Sequence, residues 1–190
     1  AELRALTQWV LWKYVDMGGT KPTKIPYSIT GEKASVTDAT NWCSFDEALN
    51  AIKFGNYDGI GFVLTSDDPY CFIDLDDTKG NQEDLARQIK LHAELDSYSE
   101  VSPSGKGLHI IVKGKVPAGR RRSHIEVYPS ERYMTMTGDV YNDKPIAERQ
   151  DMLDTLYKQM GAAPSISSHR GNEPQRETDN VIISNATGAS

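Results

Sequence analysis

The segment CFIDLDD (residues 71–77) decides how the fold is interpreted, because an apolar run passes directly into aspartates. In a β-strand, side chains two residues apart point to the same face. The segment therefore predicts a strand with Asp74 and Asp76 on one face and Ile73 and Leu75 on the other. The alternation predicts one apolar face and one face that carries paired carboxylates.

Paired carboxylates on one strand face repel each other unless a cation lies between them. A divalent metal removes this repulsion, and Mg²⁺ is usually held by one or two carboxylates together with substrate phosphates. A strand that ends in a solvated acidic turn is the alternative interpretation of Asp74 and Asp76. The motif alone leaves both interpretations open.

A glycine-rich turn follows in the segment SPSGKGLH (residues 102–109). Gly105 and Gly107 allow close approach of a ligand or a positive φ. Consecutive amides in such a turn can bind an anion, and Ser104 and Lys106 add donors. An ordinary hairpin is the alternative, and the spacing matches neither a P-loop nor a dinucleotide fingerprint. His109 begins the next strand, where it is either a ligand or a structural histidine.

A third acid, Glu126, lies in the predicted strand 125–128 and shares a face with His124 and Tyr128. A solvated surface glutamate is the alternative. The next predicted strand, 133–137, begins at Tyr133, which either contacts a bound sugar or packs in the core.

Basic residues form two groups, one at Arg120, Arg121 and Arg122 and one in the N-terminal part at Lys13 and Lys24. The second group is interleaved with aromatic residues. Cations and aromatic rings together suit single-stranded nucleic acid through phosphate contacts and base stacking, whereas solvated surface charge is the alternative. The net charge of −6 argues against indiscriminate nucleic-acid binding, so local patches decide.

The chain of 190 residues suits one soluble domain with a tail. No apolar run approaches the ~20 residues of a membrane helix and no signal peptide is visible, which predicts a cytoplasmic protein without membrane contact. Residues 163–190 contain no aromatic residue and predict a flexible linker that leads to a further domain of a longer protein. The domain expected to carry function is therefore 1–162.

The periodicity predicts a mixed α/β (α+β) fold with a largely antiparallel sheet, because several connections are too short for crossovers. A loop at residues 65–69 predicts a hairpin between strands 59–64 and 70–75. The apolar face of the second helix is predicted at Leu85, Ala86, Ile89 and Ala93. The other predicted strands are 8–15, 98–101 and 108–112, and the predicted helices are 44–54, 83–95 and 146–160.

The order of these motifs resembles the archaeo-eukaryotic primase superfamily, and more narrowly the primase-polymerase domains of phages, plasmids and mobile elements. The resemblance is carried by residues 8–13, 23–27, 31–35, 42–48, 73–77, 102–109, 125–128 and 132–138. It implies a catalytic sheet like an RNA-recognition fold, packed with an N-terminal α/β unit, and an active site between them. It also implies that Asp74, Asp76 and Glu126 are catalytic and hold two Mg²⁺ or Mn²⁺ ions. Many relatives have aspartate where this chain has Glu126.

The resemblance further implies a DNA polymerase or primase that uses nucleoside triphosphates on a single-stranded template with a primer. Its nucleotide-binding residues would be Ser104, Gly105, Lys106, Gly107, His109, Arg132 and Tyr133. Its nucleic-acid-binding residues would be Lys13, Lys24, Arg120, Arg121 and Arg122. A helicase domain or partner is expected after the tail.

Three other hypotheses remain open from the sequence. A non-catalytic module that binds single-stranded nucleic acid would not need three converging acids. A replication-initiator nuclease would need a His-hydrophobe-His pair, which the four histidines do not form. A related enzyme acting in repair or defence would keep the same site residues.

Overall fold

The computed structural model describes residues 2–19 and 21–161. The predicted tail at 163–190 lies outside these residues. The strands, in chain order, are β1 Trp9–Val15, β2 Thr23–Tyr27, β3 Gly59–Leu64, β4 Tyr70–Leu75, β5 Ser99–Val101, β6 Leu108–Lys113, β7 Arg120–Arg122, β8 Ile125–Tyr128, β9 Arg132–Met136, β10 Val140–Asn142 and β11 Ala147–Glu148. The α-helices are α1 Phe45–Phe54, α2 Gln82–Leu95 and α3 Gln150–Gln159. None of the helices in the described part is long and apolar enough to cross a membrane.

The described chain forms two units. The first comprises residues 2–66 and 130–136. Its antiparallel sheet has the order β2-β1-β3-β9. Helix α1 begins with the predicted capping box, in which Ser44 accepts from the Glu47 amide and Glu47 accepts from the Ser44 amide.

The second unit comprises residues 67–129 and 137–161 and contains the acidic segment 71–77. Its sheet has the order β10-β5-β6-β4-β8-β7, and β11 adds a short parallel pairing to β6. The apolar face packs against α2 and α3, with Ile73, Leu75, Leu91 and Leu153 in one buried cluster. The mixed α/β class and the antiparallel pairing are therefore confirmed.

The predicted hairpin between β3 and β4 is wrong. Strand β3 pairs with β1 and β9, whereas β4 pairs with β6 and β8 in the other sheet. The loop at 65–69 connects two sheets, because strand pairing depends on distant partners that a local turn pattern does not specify.

Two helix predictions also need correction. Helix α2 buries Asp84, Gln88, Leu91 and Leu95, whereas Ile89 of the predicted apolar face is 51% exposed. The third helix begins at Gln150 and not at 146, because the preceding backbone pairs with β6 as β11. In both cases tertiary contacts override the local pattern.

Candidate active site

A row of ionisable side chains crosses the second sheet. Pairing places Glu100 opposite His109, His109 opposite Asp74, Asp74 opposite Glu126, and Glu126 opposite Arg121. Directly opposed residues on neighbouring antiparallel strands point to the same face. These five side chains therefore form one row, here called the charge row, on the face opposite the apolar cluster.

Asp76 joins this row because it follows Asp74 by two residues on the same face. The Arg121 guanidinium bridges two carboxylates, with Nη2 3.1 Å from Asp76 Oδ2 and Nε 2.8 Å from Glu126 Oε1. His109 Nε2 lies 3.8 Å from Asp74 Oδ1. The structure thus brings together the three acids that the sequence separates by up to 52 positions, from Asp74 to Glu126.

The carboxyl groups of this cluster are held in a largely buried setting. Glu126 is 9% exposed, and the Tyr128 hydroxyl donates a hydrogen bond to its Oε2. Burial raises the pKa of Asp76, and the negative charges of Asp74 and Glu126 raise it further, although Arg121 opposes the shift. The Arg121 guanidinium thus contacts two of three neighbouring carboxyl groups, and the cluster favours additional positive charge.

Gln88 supports the cluster from helix α2. Its Nε2 donates to the carbonyl oxygens of Asp76 at 2.7 Å and His124 at 2.8 Å. Its Oε1 and the Oδ2 of Asp77 are buried without a hydrogen-bond partner within the described residues. The buried polar side of α2 thus holds the backbone around the acids, which explains why the predicted apolar face of this helix was wrong.

The glycine turn lies against the strand that carries the aspartates. A Cβ on Gly107 would be 2.5 Å from the Leu75 carbonyl oxygen, so only glycine allows this approach. Gly105 has φ +76°, which also favours glycine. The amides of Gly105 and Gly107 donate to the backbone oxygen and the hydroxyl of Ser102. These two amides thus have partners within the turn, and triphosphate binding by Ser104, Gly105, Lys106 and Gly107 stays a prediction.

The two predicted nucleotide ligands after Glu126 lie in the first unit. Arg132 and Tyr133 begin β9, and Tyr133 packs over Gly61 on β3. The Tyr133 hydroxyl donates to the Lys24 carbonyl oxygen at 2.8 Å, and the residue is 9% exposed. Tyr133 thus has a packing role in the first sheet, and its contact with a sugar stays a prediction.

The three consecutive arginines of β7 have different partners. Arg121 contacts the carboxylates, whereas Arg120 and Arg122 donate to carbonyl oxygens of Tyr157, Gln159 and Met160 near the end of α3. Cations at the carboxyl end of a helix interact favourably with its dipole. Nucleic-acid contact by these arginines stays a prediction, and each already has a partner within the chain.

Lys13 and Lys24 lie on neighbouring strands but belong to opposite faces. Lys24 is opposite Tyr14, and Lys13 precedes Tyr14 by one residue and is opposite Ile25. Successive residues of a strand point to opposite faces, so the two lysines lie on different faces of the sheet. Lys13 Nζ lies 4.7 Å from the centre of the Tyr27 ring, and Lys24 Nζ lies 5.7 Å from the Trp12 ring. The predicted N-terminal patch is thus two cation–aromatic pairs rather than one surface.

Glu100 is a member of the charge row that the sequence interpretation missed. Its Oε2 accepts from the amides of Thr137 and Gly138 at 2.7 and 3.1 Å, and the Tyr98 hydroxyl donates to Oε1. The sequence contained a signal for Glu100, because a hairpin of β5 and β6 around the glycine turn places Glu100 opposite His109. Arg121 was predicted as a nucleic-acid ligand, and no local pattern distinguishes it from its two neighbours.

The Arg121 guanidinium contacts Asp76 and Glu126, two of the three acids. Within residues 2–19 and 21–161, no three His, Cys, Asp or Glu side chains are arranged so that they could hold a metal ion directly. The donor chemistry nevertheless suits a hard cation, because all three groups are carboxylates and their negative charge exceeds that of one guanidinium. Asp74, Asp76 and Glu126 are therefore the residues whose chemistry suits such an ion.

Fold and site together define a mixed α/β protein with an acidic cluster in the middle of an antiparallel sheet, next to a glycine turn. No family model matches the chain. Over 162 residues, the chain is 41% identical to a protein named DNA primase-polymerase from Nitratiruptor phage NrS-1. The match covers 79% of this chain and 22% of that protein, so the chain spans about a fifth of the relative's length. The resemblance to a phage primase-polymerase domain is thereby confirmed.

Proposed function

We propose that the chain is the catalytic part of a template-dependent nucleotidyltransferase, a DNA primase-polymerase that extends or initiates a strand on single-stranded DNA. The observation that carries this proposal is the convergence of Asp74, Asp76 and Glu126 on one sheet face beside the glycine turn. The similarity to a protein named DNA primase-polymerase supports it. The archaeo-eukaryotic primase fold, with an RNA-recognition-like catalytic sheet, is part of the same proposal.

The proposed reaction joins a primer to a nucleotide. The 3′ hydroxyl of the primer gives its proton to water and its oxygen forms a bond to the α-phosphorus of a nucleoside triphosphate. The bond from that phosphorus to the bridging oxygen of the β-phosphate breaks, and pyrophosphate leaves. Asp74, Asp76 and Glu126 would hold Mg²⁺ or Mn²⁺, which supplies Lewis-acid stabilisation of the charge on the phosphoryl oxygens. No side chain of the protein needs to form a covalent bond.

The remaining predicted ligands orient the substrates in this proposal. Lys106, Ser104 and the glycine turn bind the triphosphate in this proposal, and His109, two residues after Gly107 in the chain, contributes a further donor to the same phosphates. Arg132 contacts a phosphate, and the ring of Tyr133 senses the 2′ position of the sugar. Lys13, Lys24 and the arginines of β7 are proposed to contact template or primer phosphates. Action in the cytoplasm, together with a helicase domain or partner, is also part of the proposal.

A non-catalytic module that binds single-stranded nucleic acid is the competing hypothesis. It is favoured by one observation, namely that Arg121 already pairs with Asp76 and Glu126. Under that hypothesis the acids and the arginine form a structural ion-pair network, and divalent cations have no role.

A primer-extension gel assay separates the two hypotheses. It compares primed and unprimed single-stranded templates, with dNTPs or NTPs, and with Mg²⁺ or Mn²⁺. Wild-type protein is expected to extend the primer, whereas Asp74→Asn is expected to lose synthesis while keeping its DNA affinity. Asp67→Asn is the matched control, since Asp67 is an exposed aspartate shortly before β4. Undiminished synthesis by Asp74→Asn, or none by the wild type under any condition, would refute the proposal.

A further inference from the structure

Arg121 differs from its two neighbours in what its side chain contacts. On β7, Arg120 and Arg122 are opposite Val127 and Ile125 of the apolar face, and their guanidinium groups bind carbonyl oxygens near the end of α3. Arg121 is opposite Glu126 and points to the other face. The neighbours anchor the strand to the helix, and this leaves Arg121 as the arginine of β7 that faces the acids.

The guanidinium of Arg121 spans the oxygens that a divalent cation would need. One nitrogen contacts Asp76 and another contacts Glu126, so a single planar group joins two of the three acids. Two charge-assisted hydrogen bonds from one fork give a well-defined geometry. While this arrangement lasts, Asp76 and Glu126 do not present those oxygens to an ion.

We propose that Arg121 is a built-in counterion that occupies the cation position of the acidic cluster and must swing away before a divalent metal binds. This inference rests on the proposed function, because it assumes that Asp74, Asp76 and Glu126 hold a metal.

The surroundings of Arg121 allow such a movement. Its side chain is 43% exposed, whereas those of Asp76 and Glu126 are 18% and 12% exposed. An arginine with one side in solvent can move outward without disturbing the packed side of the sheet. A guanidinium is not deprotonated in proteins, so the Arg121 side chain stays charged and can leave the acids only by rotation.

The counterion has two opposite consequences. In the absence of metal it relieves repulsion among the acids and stabilises the sheet. In the presence of metal it competes, because an affinity is reduced by the fraction of molecules in which the site is closed. Removing the guanidinium is therefore expected to weaken the metal-free fold and to tighten metal binding.

The test is a titration with Mn²⁺ alone. Binding is measured by calorimetry and by the electron paramagnetic resonance signal of free Mn²⁺. We expect Arg121→Gln to bind Mn²⁺ about tenfold more tightly than the wild type, the equivalent of about 1.4 kcal/mol. Arg122→Gln removes the same charge from the same strand and is expected to change the affinity less than about twofold, since exposed charges at a distance are screened. Asp74→Asn shows whether binding occurs at the acids.

A second variant and a second readout keep the inference testable if Arg121→Gln does not fold. Lysine keeps the charge but lacks the planar fork, so Arg121→Lys is expected to bind Mn²⁺ more tightly than the wild type by a smaller factor. In chelator, both variants are expected to melt at a lower temperature than the wild type. Added Mn²⁺ is expected to raise their melting temperatures more than it raises that of the wild type.

The outcomes separate this inference from the function on which it rests. If the wild type binds Mn²⁺ through Asp74 but neither Arg121 variant binds it more tightly than Arg122→Gln does, the counterion role is overturned and the metal site stands. If neither the wild type nor any Arg121 variant binds Mn²⁺, the proposed metal site fails and the counterion role falls with it.

Discussion

The two sheets of the molecule use polar side chains in different ways. In the first sheet, the hydroxyl of Tyr133 and the indole of Trp12 each donate to a backbone carbonyl oxygen, at 2.8 and 3.1 Å. In the second sheet, Asp74 and Glu126 lie side by side in the middle of the strands. The first arrangement satisfies buried donors, whereas the second places like charges together at a cost to stability. Stability explains these two hydrogen bonds of the first sheet, whereas the clustered acids of the second sheet call for a function.

The largest effect is expected where the second sheet bears like charges. Asp76→Asn should reduce primer extension by at least about 10²–10³-fold, as is typical when a group that stabilises transition-state charge is removed. The melting temperature should stay the same or rise, because the substitution removes a charge that burial and two neighbouring acids disfavour. Extension assays and thermal unfolding on one preparation check both.

An Asp76→Asn variant that melts well below the wild type and still extends primers would make the carboxylate a structural group. The comparison between the two sheets would then lose its basis, since both would be built for stability.

The packed side of the second sheet provides the next largest effect. Leu91 and Ile89 both lie on α2, but Leu91 is 7% exposed and Ile89 is 51% exposed. Leu91→Ala should lower the free energy of unfolding by about 2–5 kcal/mol through the cavity it leaves. Ile89→Ala should change it by less than about 0.5 kcal/mol.

Urea unfolding of this pair measures the difference directly. An equal loss of unfolding free energy in both variants, or a larger loss in Ile89→Ala, would indicate that α2 buries the face that its sequence periodicity predicts.

The same helix shows how far the sequence could predict the fold. The pattern of residues 70–75 and 125–128 indicated two strands with apolar and polar faces, and both have the predicted faces. Their pairing as neighbours could not be predicted, because strand order depends on contacts between distant segments. For α2, the buried Gln88 binds two backbone carbonyls, and hydrophobic periodicity has no means of indicating a buried polar face.

Site residues that belong to a local sequence motif could be predicted. Site residues that reach the site only through the pairing of distant strands could not. Asp74, Asp76 and the glycine turn stood out because apolar runs flank them. Arg121 is one of three adjacent arginines, and only the register of β7 with β8 separates it from the other two. Glu100 could have been predicted, because pairing β5 with β6 across the glycine turn places Glu100 opposite His109.

A smaller effect is expected in the first sheet. Tyr133→Phe removes the hydrogen bond to the Lys24 carbonyl and should lower the free energy of unfolding by about 0.5–1.5 kcal/mol. The ratio of dNTP to NTP incorporation should stay unchanged, since the ring is kept. Tyr133→Ala should alter that ratio under the proposed sugar-sensing role. Steady-state incorporation by the three proteins distinguishes the hydroxyl from the ring.

If Tyr133→Phe changed the sugar preference, the hydroxyl would have a substrate role that its bond to Lys24 does not suggest. If Tyr133→Ala left the preference unchanged, Tyr133 would belong to the packing of the first sheet alone.

The smallest effect concerns pH. Burial lowers the pKa of His92 from its ordinary value of 6.5, although Asp96 partly opposes the shift, and His92 Nε2 lies 3.0 Å from Ser99 Oγ. The unfolded state therefore binds more protons, so this contribution to stability is complete above about pH 6.5 and is lost as the pH falls toward the folded pKa. His92→Gln should flatten the fall of the melting temperature below pH 6.5.

An unchanged pH profile in His92→Gln would assign the slope to other groups.

The most direct test of the account is to locate a bound cation by anomalous scattering in a crystal of this chain grown with Mn²⁺ and a nucleoside triphosphate. The account predicts anomalous density bonded to oxygens of Asp74, Asp76 and Glu126, with the Arg121 guanidinium no longer between the last two. Density elsewhere, or none at these acids with Arg121 still bridging Asp76 and Glu126, would contradict it.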